Sequence, residues 1–186
     1  MERLVDVRRD EDIFDAYRSN PIGDLLRYHN LNEPFERHDT AAVLVGMCMD
    51  NRKQLRIPEN FAFILRTGGA NLRHSEFKVS YAIAVGGVRH IALIAHSQCG
   101  MVNLMARREQ FVRGLVETAS WEEEWASQHF DHNAPLFEIG NATDFVLSEA
   151  RRLRTRYSGI VVAPMLYKVE DNRLYLLHES VAPEGR

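Results

Sequence analysis

The chain has 186 residues, of which 45% are apolar and 26% are charged, and its formal net charge is −3. This length predicts a single domain with a sizeable core, and the slightly negative charge gives no reason to expect a nucleic-acid or membrane partner. Residues 1–6 lack the apolar core of a secretory signal, and no apolar run approaches the roughly 18 residues of a membrane span. Two cysteines make no disulfide framework, so we expect a reducing, cytoplasmic compartment.

Two short helices are predicted near the N-terminus, over residues 9–17 and 22–29. Pro21 lies between them, at a position that suits the first turn of a helix. Residues 1–40 are therefore expected to form an N-terminal helical arm, and residues 41–186 to form the α/β part of one overall domain.

Buried strands are the next feature along the chain. Four apolar runs without alternation predict parallel strands, because a strand covered on both faces needs apolar residues at every position. These runs cover residues 41–47, 61–65, 91–95 and 160–166. A fifth strand ends at Leu177 and follows so short a turn that it must return antiparallel.

Helices are predicted between these strands, over residues 75–85, 100–115, 121–129 and 143–157, with a loop over residues 131–135. In the first of these helices Phe77, Tyr81 and Val85 recur at helical spacing. The alternation of strands and helices indicates an α/β fold with a mainly parallel five-stranded sheet flanked by helices. We expect the strand order 2-1-3-4-5, with the last strand antiparallel.

A candidate site lies at the carboxyl ends of two of these strands. Open parallel sheets bind ligands beyond those ends, at the point where the strand order reverses. In the expected order the first and third strands are neighbours at that point. Cys48 ends the first strand, and His96 ends the third.

Three side chains of zinc-binding type therefore converge in the prediction. His96 and Cys99 lie three residues apart, and Cys48 supplies a third ligand. Three protein ligands leave the fourth position of a tetrahedral zinc ion open, as in catalytic sites, where a bound water can supply hydroxide. The alternative is that these are two buried cysteines and a satisfied core histidine. With zinc as cofactor, residues 41–186 form a zinc-binding domain.

Asp50 and Arg52 follow Cys48 by two and four residues. Asp50 could accept a hydrogen bond from the zinc-bound water or hydroxide, and Arg52 could keep Asp50 ionised through a charge-assisted pair. Two alternatives remain open: Asp50 could take the fourth zinc position itself, or the two residues could form a structural ion pair at a strand end.

At these residues the sequence resembles a known family, the β-class carbonic anhydrases. Residues Cys48–Arg52 match the family's C-x-D-x-R motif, and residues His96–Cys99 match its H-x-x-C motif. The resemblance extends from about residue 21 to residue 177. The two motifs together, with a strand and a helix between them, are far more specific than either alone.

The resemblance implies a zinc lyase that hydrates carbon dioxide reversibly to bicarbonate by zinc-bound hydroxide. It also implies that Cys48, His96 and Cys99 hold the metal and that Asp50 and Arg52 are the catalytic pair. The family is built on dimers, so we expect a homodimer or a higher even oligomer. The expected partner is a small-molecule substrate.

The chain departs from the family pattern in the turn after the second strand. The family's turn reads close to R-N-A-G-N, whereas this chain has Arg-Thr-Gly-Gly-Ala-Asn over residues 66–71. The resemblance places this turn in the substrate pocket, which predicts Gly68, Gly69, Ala70 and Asn71 as pocket residues. Two alternatives follow. One is a zinc hydrolase of the same fold acting on carbon disulfide or carbonyl sulfide, and the other is a non-catalytic zinc- or anion-binding homologue.

Overall fold

The computed structural model describes residues 3–179. Six strands in this range form one sheet, in the order β1-β6-β5-β4-β2-β3. The strands are β1 (Leu4–Asp6), β2 (Val43–Cys48), β3 (Ala62–Thr67), β4 (His90–His96), β5 (Val161–Lys168) and β6 (Arg173–Leu177). The α-helices in the same range are α1 (Asp15–Arg18), α2 (Pro21–Asn30), α3 (Glu76–Ala84), α4 (Arg108–Ala119), α5 (Glu123–Phe137) and α6 (Ala142–Arg156).

The predicted fold class is confirmed, with one correction to the sheet. The five predicted strands are β2 to β6; β2, β3, β4 and β5 are parallel, and β6 is antiparallel to β5. Their order is the expected one. The count of five is one short, because Leu4–Asp6 adds a sixth strand antiparallel to β6. A three-residue strand carries no periodicity to detect, and its backbone pairing with β6 is what forms it.

Helices cover both faces of the sheet because alternate residues of each central strand point to opposite faces. On one face, Ile22, Leu25 and Leu26 of α2 pack in a core cluster with Val45 and Ile94. On the other face, α3 and α6 pack over the strand residues that point the opposite way. The N-terminal arm thus contributes to the core through α2. Residues 180–186 of the predicted zinc-binding domain lie outside the described residues.

The segment between β4 and α6 differs from the prediction in detail. The helix expected from residue 100 begins at Arg108, after a turn in which Asn103 adopts a left-handed φ of 54°. Residues 131–135, expected as a loop, belong to α5, and Pro135 lies in its last turn. Packing extends this helix: the Asp131 carboxylate accepts hydrogen bonds from Arg108 at 2.7 and 2.8 Å, and Ala134 is buried.

Within residues 3–179, none of the helices is both long enough and apolar enough to cross a membrane.

Candidate metal centre

The parallel register of β2 and β4 brings the three predicted ligands together. Met47 pairs with Ile94, so Cys48 and His96 end neighbouring strands at the same edge of the sheet. The turn after β4 returns Cys99 to this edge. The two Sγ atoms lie 3.9 Å apart, and all three ligand atoms lie within 4.8 Å of one another. All three side chains are buried.

This donor set fits zinc. Two thiolates bound to a tetrahedral zinc at about 2.3 Å lie roughly 3.8 Å apart, close to the 3.9 Å between the Sγ atoms. The Nδ1–H of His96 donates to the carbonyl oxygen of Ser97 at 2.8 Å. His96 Nε2 is buried and has no hydrogen-bond partner among the described residues. Its lone pair is therefore free for a metal, with the tautomer set by Ser97.

The two buried thiols lie within hydrogen-bond distance of each other. Their mutual hydrogen bond lowers the pKa of Cys48 and raises that of Cys99. The backbone N–H groups of Asp50 and Gly69 lower the pKa of Cys48 further. A divalent cation bound here would displace the thiol protons, because metals bind the deprotonated thiolates.

Asp50 and Arg52 lie against each other, as the motif predicts. Arg52 Nε donates to Asp50 Oδ1 at 3.0 Å, and Nη2 donates to Oδ2 at 2.8 Å. The backbone N–H of Arg52 also donates to Oδ1, at 2.9 Å. These bonds hold the pKa of the Asp50 carboxyl well below its usual range, against the opposing effect of burial. Asp50 is therefore an ionised acceptor, fixed in orientation by Arg52.

The glycine-rich turn over residues 66–71 contacts both the Cys48 thiol and the segments that surround the centre. Gly69 adopts a φ of 63°, and its backbone N–H donates to the Cys48 thiol. A Cβ on Gly68 would lie 3.0 Å from Met101 Sδ. Ala70 adopts an unfavourable left-handed φ of 61°. The Asn71 side chain donates to the Leu136 carbonyl at 3.0 Å and accepts from the Arg73 N–H at 3.1 Å, so it ties the turn to its surroundings.

Sequence reasoning missed two cationic side chains, Lys53 and Arg66, that donate hydrogen bonds to the backbone of the loop after Cys48. Lys53 is 1% exposed, and its Nζ donates to the carbonyl oxygens of Cys48 at 3.0 Å and Asp50 at 3.3 Å. Arg66 Nη1 donates to the same two carbonyls, at 3.3 and 3.4 Å. A lysine in a predicted loop normally points to solvent, so no local signal indicated that Lys53 is buried.

A carboxylate beside the second motif was missed as well. Glu170, in the turn between β5 and β6, accepts hydrogen bonds from Ser97 Oγ at 2.7 Å and Gln98 Nε2 at 2.8 Å. More than 70 residues separate Glu170 from these partners along the chain, so no sequence spacing connects them.

Two cavities adjoin the centre. One of about 460 Å³ includes His96, Ser97, Gln98 and Cys99 in its wall, together with Arg107 and the first residues of α6. The other, of about 300 Å³, lies between the ligand loops and the α4–α5 pair. Most of its lining is apolar and includes Met49, Gly68, Met101, Phe111, Phe130 and Phe137, while His129 and Asn133 are its polar members.

A family model described as carbonic anhydrase matches residues 43–171, which include both motifs. A search of curated proteins found no significant match.

Solved structures with the same fold include a carbonic anhydrase from Streptococcus mutans, at 17% identity, with a TM-score of 0.59 over 89% of this chain and 100% of that one. A β-carbonic anhydrase from Trichomonas vaginalis has 15% identity and a TM-score of 0.60, over 80% and 90%. An apo carbon disulfide hydrolase has 18% identity and a TM-score of 0.54, over 79% and 86%.

Proposed function

The chain belongs to the β-class carbonic anhydrase family, and on that premise we propose that it is a zinc lyase that hydrates carbon dioxide reversibly to bicarbonate. The observation that carries the proposal is geometric. Three side chains of zinc-ligand type meet within 4.8 Å, and two residues beyond Cys48 an ionised carboxylate is held by a bidentate arginine.

Cys48, His96 and Cys99 would hold the zinc ion, and a zinc ion bound there would act as a Lewis acid on a water molecule. Asp50 orients that water. Its Oδ1 accepts two hydrogen bonds from Arg52, whereas Oδ2 accepts one within the described residues. Oδ2 can therefore accept a hydrogen bond from the water. Because Asp50 is ionised, its carboxylate has no proton to donate in return.

In the proposed hydration the water oxygen forms a bond to the carbon of carbon dioxide. The electron pair of one C=O π bond moves onto that bond's own oxygen atom. One proton leaves to solvent, and bicarbonate is released. Asp50 fixes the direction of the attacking lone pair, and Arg52 keeps Asp50 charged and correctly turned throughout. Misplacement of a positioned reactant by about 1 Å costs about a hundredfold in rate.

The apolar cavity supports an uncharged, apolar substrate. Carbon dioxide has no net charge and no dipole, so it needs no polar partner to leave water. The cavity wall includes Met49, next to Cys48, and Met101, two residues after Cys99. Gly68 contributes to the same wall, while Gly69, Ala70 and Asn71 would shape the pocket by holding the turn.

A second candidate is hydrolysis of carbon disulfide or carbonyl sulfide. The observation that favours it is the room in the apolar cavity, about 300 Å³, because the sulfur atoms of these substrates are larger than the oxygen atoms of carbon dioxide. The fold is shared with a carbon disulfide hydrolase. In that reaction two waters convert carbon disulfide to carbon dioxide and two molecules of hydrogen sulfide. A non-catalytic homologue, in contrast, is expected to have Arg52 turned away from Asp50, whereas the two are paired.

The test is a substrate panel on zinc-loaded protein. Stopped-flow hydration of carbon dioxide with a pH indicator should show activity, and Asp50→Asn should retain zinc but lose about a hundredfold in kcat. The matched control is Asp39→Asn, because Asp39 forms a similar pair with Arg37 on the surface. An inactive zinc-loaded wild type from neutral to alkaline pH would reject the lyase. Sulfide release from carbon disulfide would then select the second candidate.

We also propose that the chain forms a homodimer or a higher even oligomer. The support is an apolar patch of four exposed side chains, which we call the α3–β3 patch: Phe63 on β3, Phe77 and Tyr81 on α3, and Val85 just after α3. Strand β3 is an edge of the sheet, and the Phe63 ring lies against Gly86, just beyond α3. A contiguous patch of this kind marks an interaction surface.

Analytical ultracentrifugation of Phe77→Glu against Lys78→Glu tests this assembly, since Lys78 is the exposed neighbour outside the stripe. Dissociation in Phe77→Glu alone supports the patch as the interface, and an unchanged mass in both rejects it.

A cytoplasmic location is part of the proposal because zinc binding needs Cys48 and Cys99 reduced. Recovery of the protein with an extracellular fraction would contradict it.

A further inference from the structure

The Arg52 guanidinium donates hydrogen bonds to two residues, Asp50 and Gln98. Nε and Nη2 hold Asp50, as described above. Nη1 donates to the side-chain Oε1 of Gln98 at 3.0 Å, and Nη2 donates to the backbone carbonyl of Gln98, also at 3.0 Å. The position of Arg52 on Asp50 therefore depends on a residue of the second ligand loop.

The amide of Gln98 is useful to Arg52 in only one orientation. Its oxygen must face the guanidinium, because the NH₂ group would place a donor against a donor. Glu170 selects this orientation, since its carboxylate accepts from Gln98 Nε2 at 2.8 Å. With the nitrogen bound by Glu170, the oxygen is presented to Arg52.

Glu170 also holds the backbone that carries Gln98. Gln98 has a left-handed φ of 56°, which is unfavourable for a residue with a Cβ. The preceding Ser97 donates to Glu170 at 2.7 Å and accepts from the N–H of Val169 at 2.9 Å. Both residues between His96 and Cys99 are thus tied to the β5–β6 turn, and such over-determination is what maintains a strained conformation.

We infer that Glu170, acting through Gln98, is a positioning residue that keeps Arg52 on Asp50. The inference rests on the proposed function, in which Asp50 orients the attacking water. Without the Glu170 carboxylate, the Gln98 amide rotates freely and Arg52 loses its side-chain acceptor. Asp50 then samples other orientations, and the productive one is populated for a smaller fraction of the time.

The primary test observes Arg52 directly, on full-length protein with and without added zinc chloride. Solvent exchange of the Arg52 Nε–H proton is measured by ¹⁵N NMR, with the signal assigned by Arg52→Lys. In Glu170→Ala and in Gln98→Met, exchange should accelerate about two- to fivefold, the range that an exposed charge-assisted contact supports. The double variant should exceed neither single variant, because both act through one contact.

Two further measurements separate positioning from a general structural role. Zinc affinity should be unchanged and the thermal midpoint should fall by no more than about 4 °C, while kcat falls about two- to fivefold at constant KM. Glu170→Gln, which keeps the volume and one acceptor oxygen, should lie between wild type and Glu170→Ala. The matched control is Glu59→Ala, an exposed glutamate with no side-chain hydrogen bond among residues 3–179.

Unchanged Arg52 exchange in both Glu170→Ala and Gln98→Met would overturn the inference, whatever the activity. Exchange that accelerates equally in Glu59→Ala would also overturn it. If the zinc-loaded wild type hydrates no carbon dioxide, the proposed function fails, but the exchange measurement still decides whether Glu170 positions Arg52. The two failures are therefore distinguishable.

Discussion

The segment Cys48–Lys53 and the turn His96–Cys99 bring ligand atoms to the same point, but opposite charges hold them. In the first loop, the buried cation Lys53 donates to the Cys48 and Asp50 carbonyls from the protein interior, and the exposed Arg66 donates to the same two carbonyls. In the second loop, the anionic Glu170 accepts from two side chains at the surface.

This difference separates the tasks of the two loops. Buried charge-assisted bonds are costly to break, so the first loop is coupled to folding and to metal binding. Surface bonds contribute little to stability. The bonds of Glu170 to the second loop can therefore affect the orientation of Gln98 and Arg52 without affecting the fold. Substitutions in the first loop should therefore have the larger effects, and the following predictions test that ranking.

The largest effect is expected from removing a ligand. In Cys48→Ser, zinc affinity should fall by more than about a hundredfold, the upper range for losing even an outer partner of a metal ligand. Activity should be lost with the metal. Elemental analysis and competition with a chelator measure this, and Asp50→Asn is the control that alters the same loop without removing a ligand. Full zinc retention in Cys48→Ser would exclude this centre.

An intermediate effect is expected from Lys53→Met. The Cys48 and Asp50 carbonyls would lose their bonds to Lys53 and keep the longer ones to Arg66, so the free energy of unfolding should fall by about 1–3 kcal/mol. Urea denaturation of the metal-free protein measures it. Lys78→Met is the control, because that lysine is exposed and its loss should stay within about 0.5 kcal/mol. Equal stability of the two variants would show that the interior cation does not hold the loop.

The smallest effect is expected from Ser97→Ala in the second loop. It removes the bonds of Ser97 Oγ to Glu170 and to the N–H of Val169, both near the surface. The free energy of unfolding should fall by less than about 1 kcal/mol, with zinc affinity unchanged. Urea denaturation and chelator competition again provide the measurements. A loss as large as that of Lys53→Met would contradict the distinction between the loops.

The grouping of the three candidate ligands was predictable because it follows from local pattern and topology. Unbroken apolar runs indicated buried parallel strands, and neighbouring parallel strands end at one edge of the sheet. That reasoning placed Cys48 beside His96 before any contact was known. Asp50 and Arg52 followed because they lie within four residues of the first ligand.

The helix α3 shows where periodicity stops being informative. Phe77, Tyr81 and Val85 correctly indicated a helix, yet they are exposed, while Val79 and Ala82 face the core. Helical spacing identifies a stripe, but a helix with apolar residues on two faces does not reveal which face packs inward. The packing of α3 against one face of the sheet decides which of the two apolar faces of the helix is buried.

Taken alone, the amino-acid order determined the α/β class, the strand sequence and which three side chains are candidate zinc ligands, because strand burial and motif spacing are short-range properties. Only the tertiary structure decided which distant groups support them. The burial of Lys53, the approach of Glu170 to Gln98 and the pairing of Leu4–Asp6 with β6 all join segments through space. Such contacts depend on where the folded chain returns, and no local pattern of residues records that.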